Sequence, residues 1–262
     1  MDMGLDLLLG GVTGLLLGLT GAGGGIVAAP LLMLFLHLTL AQAAPISLIA
    51  VAMGAGLAMV LGLREGVVRY RAALLMAGMG LLASPAGIRL SLVLPNKPLV
   101  MCFALLLAYQ AQRLWRGGSP AADEVLPCSL DAGSGRFKWN RPCAWALARA
   151  GLLAGFLSGL LGVGGGFVLV PALRRHTPLS LHSITATSLM VLTLVSCGGV
   201  AVWVVHGGID WAVALPFSGG AVAGIALGRL ASPRIAEKLL QRAFALMCLL
   251  ACLGLIAKSL LA

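Results

Sequence analysis

Runs of apolar residues alternate with short polar segments along nearly the whole chain. Six of these runs are about 20 residues long, which is the length an α-helix needs to cross the hydrocarbon core of a bilayer. They cover 41–63, 72–94, 98–115, 181–205, 209–230 and 235–261. Two further runs, 5–38 and 144–173, are longer, and each contains a cluster of glycines. The pattern predicts an all-α integral membrane protein.

Composition leads to the same class of protein. Of the 262 residues, 60% are hydrophobic and only 10% are charged, which leaves too little polar surface to cover a soluble globule. The net charge of +10 would suggest nucleic acid as a partner of a soluble domain. Here the basic residues cluster in short loops between apolar runs, so we assign them to membrane topology and expect the lipid bilayer, not nucleic acid, as the partner.

The chain contains an internal repeat. Shifting the sequence by 141 positions aligns "GLTGAGGGIVAAP" (18–30) with "GLLGVGGGFVLVP" (159–171), and matches of Gly, Ser, Lys and Phe continue without a gap. Matches of these residue types over such a length indicate duplication. We therefore divide the chain into a first repeat (1–115), a polar linker (116–143) and a second repeat (144–262).

Basic residues predict how the repeats cross the membrane. If each long glycine-containing run (5–38 and 144–173) is re-entrant and leaves on the side it entered, each repeat has three crossings and the two repeats have inverted topology. Fifteen of the eighteen Lys and Arg residues then fall on one side, and only Arg89, Lys97 and Lys258 fall on the other. This bias predicts a cytoplasmic linker and periplasmic termini, whereas eight full crossings would give no bias.

The glycine clusters predict an anion site. A new half-helix is expected to begin after each cluster, at about Ile26 and about Phe167, with unpaired N–H groups and the positive end of a helix dipole. Glycines without Cβ atoms let this backbone approach a ligand, and two such termini facing one cavity would bind an anion. The alternative is that glycines only allow close helix packing, a role we assign to Gly14, Gly18, Gly155 and Gly159. The predicted ligand glycines are Gly23, Gly24, Gly25, Gly164, Gly165 and Gly166.

Polar side chains near the clusters are further candidates. Ser47 and Ser188 are repeat-equivalent and are the stronger ones, although a helical Ser or Thr often bonds only to its own backbone. Thr20, Gln42, Thr187 and Ser158 are weaker candidates. All eight acidic residues fall in termini, loops or at the ends of runs, which argues against a carboxylate proton relay, and His182 is the one histidine placed to act as a titrating gate.

The six cysteines do not form a C-x-x-C pair. Four of them lie inside apolar runs and are expected to pack as small hydrophobic residues. Cys128 and Cys143 flank a polar stretch and could meet, but the expected topology places them in the reducing cytoplasm. We expect no metal site and no cofactor.

The twin glycine motifs, the T-S-L at 187–189 and the H-G-G-I-D-W at 206–211 resemble the TauE/SafE sulfite exporter family, also called the toluene sulfonate uptake permeases. The resemblance implies a secondary transporter, not an enzyme, that moves sulfite or an organosulfonate such as sulfoacetate or taurine across the bacterial inner membrane. The first repeat reads "PISL" where the second reads "TATSL", so the two halves of the site are not chemically equal. An anion channel and a non-transport accessory protein are the alternatives, and a homodimer is a candidate assembly.

Overall fold

The structure, a computed structural model, describes residues 3–20, 24–115, 128, 139–206, 209–231 and 237–261, and all regular secondary structure in this part is helical. A short 3₁₀ turn, Gly24–Val27, precedes the second helix. The helices are α1 (Met3–Thr20), α2 (Ala28–Phe35), α3 (Leu40–Arg64), α4 (Tyr70–Val93), α5 (Asn96–Trp115), α6 (Arg141–Leu161), α7 (Gly166–His176), α8 (Leu181–His206), α9 (Trp211–Ala231) and α10 (Glu237–Leu261).

Seven of the described helices are long and apolar enough to cross a membrane: α1, α3, α4, α6, α8, α9 and most of α10. Helix α5, which we expected to cross at 98–115, is not among them, because Gln110, Gln112 and Arg113 lower the hydropathy of its second half. Helix α6 begins at Arg141, three residues before the predicted start of the second repeat, because Pro142 suits the first turn of a helix. The long runs are thus each divided at their glycines, into α1 and α2 and into α6 and α7.

Helix α1 packs closely along α9 in a parallel orientation. The contact positions on α1 are Gly10, Gly14 and Gly18, where an added Cβ would overlap the backbone of Phe217, Ala221 or Ile225 in turn. Because both sets of residue numbers rise together, the two helices run in the same direction. Small residues are what such close backbone approach in a membrane requires, and the expected packing of Gly14 and Gly18 is confirmed.

The same contact recurs 141 positions later between α6 and α4. Gly151, Gly155 and Gly159 of α6 face the backbone of Met76, Gly80 and Ser84 of α4. Each of these six residues is the repeat equivalent of one in the α1 and α9 pair. The duplication seen in the sequence is therefore also a duplication of helix packing.

Helices α3 and α8, which are repeat equivalents, cross at the centre in opposite directions. A Cβ on Gly62 would lie 3.2 Å from the Cβ of Ala186, near the start of α8. Toward the other end of the pair, a Cβ on Gly199 would lie 3.1 Å from Leu48 Cδ1. High numbers on α3 thus meet low numbers on α8, so the helices are antiparallel.

Contacts between helix ends define the two ends of the bundle. At one end, Lys258 Nζ of α10 donates to Met33 O of α2 (2.5 Å), and the Leu40 N–H of α3 donates to Asn96 Oδ1 of α5 (3.3 Å). At the other end, Glu65 lies 3.1 Å from His182 Nε2 and 3.4 Å from Arg229 Nη2. Glu65 follows α3, His182 begins α8 and Arg229 lies in the last turn of α9, so this ion cluster joins both repeats.

Cys128 and Cys143 form a disulfide, although the expected cytoplasmic position argued against one. Cys143 lies in the first turn of α6, and the Cys128 N–H donates to the carbonyl oxygen of His176 at the end of α7 (3.1 Å). The disulfide therefore joins Cys128 to the start of α6, and the hydrogen bond joins it to the end of α7.

Reducing this disulfide should lower the Tm of the purified protein by several degrees. The bond closes a loop with a sequence separation of 15, and a loop of that length contributes about 3 kcal/mol by restricting the unfolded chain. A thermal unfolding series with and without dithiothreitol would measure this. Cys143→Ser should show the lower Tm in both conditions, and equal Tm values for the wild-type protein in both would contradict the expectation.

Candidate functional site

The second glycine loop, between α6 and α7, depends on a left-handed backbone. Gly162, Gly164 and Gly165 have φ values of +70°, +76° and +74°. A residue with a Cβ would pay about 1–2 kcal/mol at each of these positions. The Gly162 N–H donates to Ser158 O (2.8 Å) and ends α6, and Gly165 is the N-cap of α7.

The first turn of α7 presents buried donors. The carbonyl oxygen of Gly165 accepts from Val168 N (3.0 Å) and Leu169 N (3.4 Å), which starts the helix. The N–H groups of Gly165, Gly166 and Phe167 have no hydrogen-bond acceptor among the described residues. All three residues are buried, and Phe167 is only 5% exposed. Unpaired donors at the positive end of a helix dipole form a place for a negative charge.

The two glycine loops meet beside Val51, in the middle of α3. A Cβ on Gly25 would lie 3.2 Å from Val51 Cγ2 and 2.9 Å from the carbonyl oxygen of Val163, which belongs to the second loop. A Cβ on Gly164 would lie 2.8 Å from Val51 Cγ1. The predicted ligand glycines Gly25 and Gly164 therefore both lie next to the side chain of Val51. Two loops that share one binding site have to be this close to each other.

In the first glycine loop, one backbone N–H group already has a hydrogen-bond acceptor in the preceding helix. The Gly24 N–H donates to Thr20 Oγ1 (2.9 Å), and the Thr20 hydroxyl donates to Leu16 O (2.7 Å). Thr20 therefore caps the turn, and Ile26 is buried in the apolar core. Gly23 lies outside the described residues.

The other predicted side chains bond to backbone groups, except Ser158, whose buried Oγ has no partner. Ser47 donates to Gly162 O (2.5 Å) and Ala44 O (2.9 Å), so it fastens α3 to the second loop. Ser188 donates to Thr185 O (2.9 Å), and Thr187 Oγ1 accepts the Arg69 N–H (3.1 Å). Gln42 Oε1 accepts the Thr39 N–H and caps α3. In this conformation these groups are engaged with protein atoms.

One side chain that the sequence reasoning did not select is better placed. Ser196 of α8 is fully buried, and its Oγ has no hydrogen-bond partner. Its Oγ would lie 3.4 Å from a Cβ on Gly164, so it is directed at the glycine loop. The signal available in the sequence was the 141-residue register, which places Ser196 opposite Ala55 and so adds one hydroxyl to the second repeat only.

Of the carboxylates that the structure describes, none lies in a glycine loop. Asp6 is in the first turn of α1, Glu65 follows the last residue of α3, and Asp210 precedes α9. The donors of the second loop therefore face no described negative side chain.

Seven described apolar helices, with two glycine loops that meet inside the bundle, define a multi-pass membrane protein. The family model "Sulfite exporter TauE/SafE" matches residues 7–255, and the chain belongs to this family of membrane transporters. Two proteins of Xylella fastidiosa, each named "Probable membrane transporter protein", are similar: that of strain 9a5c is 30% identical over 240 residues, and that of strain Temecula1 is 29% identical over 245 residues. In both cases the match covers 90% of this chain and 88% of the relative. No solved structure matches.

Proposed function

We propose that this transporter moves a small sulfur-containing anion, sulfite or an organosulfonate, by alternating access around the crossed glycine loops. The observation that carries the proposal is the buried N-terminus of α7, where the N–H groups of Gly165, Gly166 and Phe167 have no acceptor among the described residues. In a membrane interior such donors are costly unless a ligand or water satisfies them. An anion bound there would be stabilised by the dipole and would need no lysine or arginine.

Helix directions support inverted repeats with re-entrant glycine segments. Helix α3 runs parallel to α9, since Gly54 lies beside Ala221 and Ile225 while Ala58 O accepts from Arg229 (2.7 Å). Helix α1 is also parallel to α9, so the chain between α1 and α3 has to return to the end at which α1 began. The antiparallel crossing of α3 and α8 is the arrangement that inverted repeats predict.

Charge supports the orientation of these repeats. The ion cluster of Glu65, His182 and Arg229 marks the end of the bundle where α3 and α9 finish, and most of the basic residues that the structure describes lie at or near helix ends on this side. Lys258 lies at the opposite end with Met33. By the positive-inside rule we assign the basic end to the cytoplasm, where the Cys128–Cys143 disulfide at this same end would be reduced. The membrane we propose is the bacterial inner membrane.

The two ends of the bundle are held by different contacts, which is compatible with alternating access. At the basic end Glu65 contacts His182 and Arg229 in an ion cluster that is partly exposed. The repeat equivalents of His182 and Arg229 are Ala41 and Ile88, and Ile88 packs at the other end in an apolar cluster with Trp203. Each end can thus separate without breaking the contacts of the other.

Purified protein in proteoliposomes should take up sulfite or a sulfonate with saturable kinetics. A thermal-shift screen against sulfite, sulfate, thiosulfate, taurine and sulfoacetate would select the anion, because a ligand at many times its Kd raises the Tm. Flux of that anion, with protein-free liposomes as control, then tests transport. A conductance that does not saturate at low millimolar anion would instead favour a channel. Neither binding nor flux of any anion would favour an accessory protein and contradict the proposal.

A further inference from the structure

Several buried hydroxyls among the described residues bond to a carbonyl oxygen of their own helix, whereas those of Ser84, Ser158, Ser196 and Ser218 have no partner. Thr13 donates to Leu9 O (2.9 Å), and Thr193 donates to Leu189 O (2.9 Å). This is the ordinary way for Ser and Thr to be satisfied in a membrane helix. Ser196, one turn after Thr193 on the same helix, makes no such bond although it is fully buried. Its hydroxyl is therefore available to something other than α8.

The free hydroxyl of Ser196 and the free N–H groups of α7 both belong to the surroundings of the second glycine loop. Ser196 Oγ is directed at Gly164, and the unpaired N–H groups begin at the next residue, Gly165. One observation concerns a side chain of α8 and the other concerns the backbone of α7, so they are independent. Both are donors, and both are buried away from bulk water.

We infer that Ser196 is a substrate-contacting residue and that the anion is held on one side only, by the second glycine loop. The inference rests on the proposed anion transport and adds a specificity-determining hydroxyl to it. The N–H groups of Gly165, Gly166 and Phe167 and the Ser196 O–H would donate to different oxygens of one oxyanion. Four neutral donors around a negative ligand form charge-assisted hydrogen bonds, which are stronger than those between neutral groups.

The repeat register explains why only one loop binds. The equivalent of Ser196 is Ala55, which offers no hydrogen bond. Ser158, whose buried Oγ also has no partner, lies one turn from Ala154, the residue that touches Gly165, and its equivalent is Leu17. In the first loop the Gly24 N–H is already bonded to Thr20. The free hydroxyls of Ser196 and Ser158 thus lie near the second loop, whereas their counterparts at the first loop, Ala55 and Leu17, are apolar.

Ser196→Ala should weaken binding without destabilising the unliganded protein. The lost hydrogen bond to a charged ligand should raise the Kd about 10- to 100-fold, measured by thermal shift with the anion that stabilises the wild-type protein most. The Tm without ligand should stay the same or rise, because a buried hydroxyl without a partner is replaced by a methyl group. Ser196→Thr keeps a hydroxyl and should retain most of the affinity.

Two matched controls separate this role from general effects. Ser218 of α9 is also fully buried with an unpartnered Oγ, but α9 packs mainly on α1 and α3, so Ser218→Ala should leave the Kd unchanged. Adding Ala55→Ser to Ser196→Ala should not restore binding, because the hydroxyl then lies on the first-loop side.

The outcomes separate this inference from the proposed function. If the wild-type protein binds an anion and Ser196→Ala binds it equally well, the role of Ser196 is wrong while anion binding stands. If Ala55→Ser restores the affinity, the one-sided site is wrong. A Tm without ligand that falls in Ser196→Ala, with the ligand-induced shift unchanged, would make Ser196 a packing residue only. If the wild-type protein binds no anion, the proposed function itself fails.

Discussion

Gly164→Ala should reduce anion flux in proteoliposomes by about tenfold or more while the protein still folds, because moving the anion out of reach of even one of its donors has an effect of that size. The new Cβ would lie 2.8 Å from Val51 Cγ1 and 3.4 Å from Ser196 Oγ, so it would occupy the space between the two glycine loops. Val51 Cγ1 is the end of a side chain and can shift, so the bundle should tolerate the methyl group. An anion held at the second glycine loop would not have room beside this methyl group.

Gly66→Ala is the matched control for this substitution. Gly66 has φ of +70°, close to the +76° of Gly164, but no atom lies within 4 Å of a Cβ placed on it. Both variants should lose about 1–2 kcal/mol of stability because alanine disfavours the left-handed conformation. Only Gly164→Ala should lose flux. An equal loss in both variants would mean that backbone strain, and not the filled space, explains the result.

The helices could be read from the sequence because a bilayer leaves the chain few alternatives. Backbone groups in lipid have to be paired within the segment, so an apolar run of about 20 residues becomes a helix. The run predicted at 41–63 is α3, and the run predicted at 181–205 is α8, each within one residue at either end. The small residues Gly14 and Gly155 also marked close packing correctly, since little else explains glycine in a membrane helix.

The partners of those packing glycines could not be read from the sequence. Gly155 meets Gly80, and Gly14 meets Ala221, but nothing in the local pattern of α6 or α1 specifies which distant helix covers it. Once one of the two helix contacts is known, the repeat predicts the other. By itself the repeat identifies neither of them. Pairing of remote helices depends on the shape of the whole bundle.

The sequence also did not show which hydroxyl groups lie at the candidate site. Ser47 was favoured because it has an equivalent in Ser188, yet its hydroxyl is bonded to Gly162 O and Ala44 O. Ser196 was not selected because it lies in the middle of the 181–205 run, away from the polar residues at its start, and the structure places it beside Gly164. Symmetry between repeats identifies residues that maintain the fold, whereas a transporter that binds one ligand needs groups that break the symmetry. Departures from the repeat are therefore the better guide to the substrate.

Gly155→Leu should prevent the protein from folding into a stable bundle. A Cβ on Gly155 would overlap the backbone of Gly80 across the α6 and α4 contact, and backbone atoms cannot move aside as a side chain can. Separating these helices would open the whole interface, at a cost of about 3 kcal/mol or more. Size-exclusion chromatography in detergent should show aggregate in place of a single symmetrical peak, and any folded fraction should have a much lower Tm.

Gly78→Leu tests whether this effect belongs to the contact and not to leucine in a glycine-rich helix. Gly78 lies on α4, two residues from Gly80, and no atom is found within 4 Å of its Cβ position, as is also true of its repeat equivalent Gly219. Leucine there should leave the elution profile unchanged and raise helix stability by up to about 1 kcal/mol. If Gly155→Leu behaved like Gly78→Leu, α6 and α4 could not be in backbone contact. The second glycine loop, whose position depends on α6, would then lose its support.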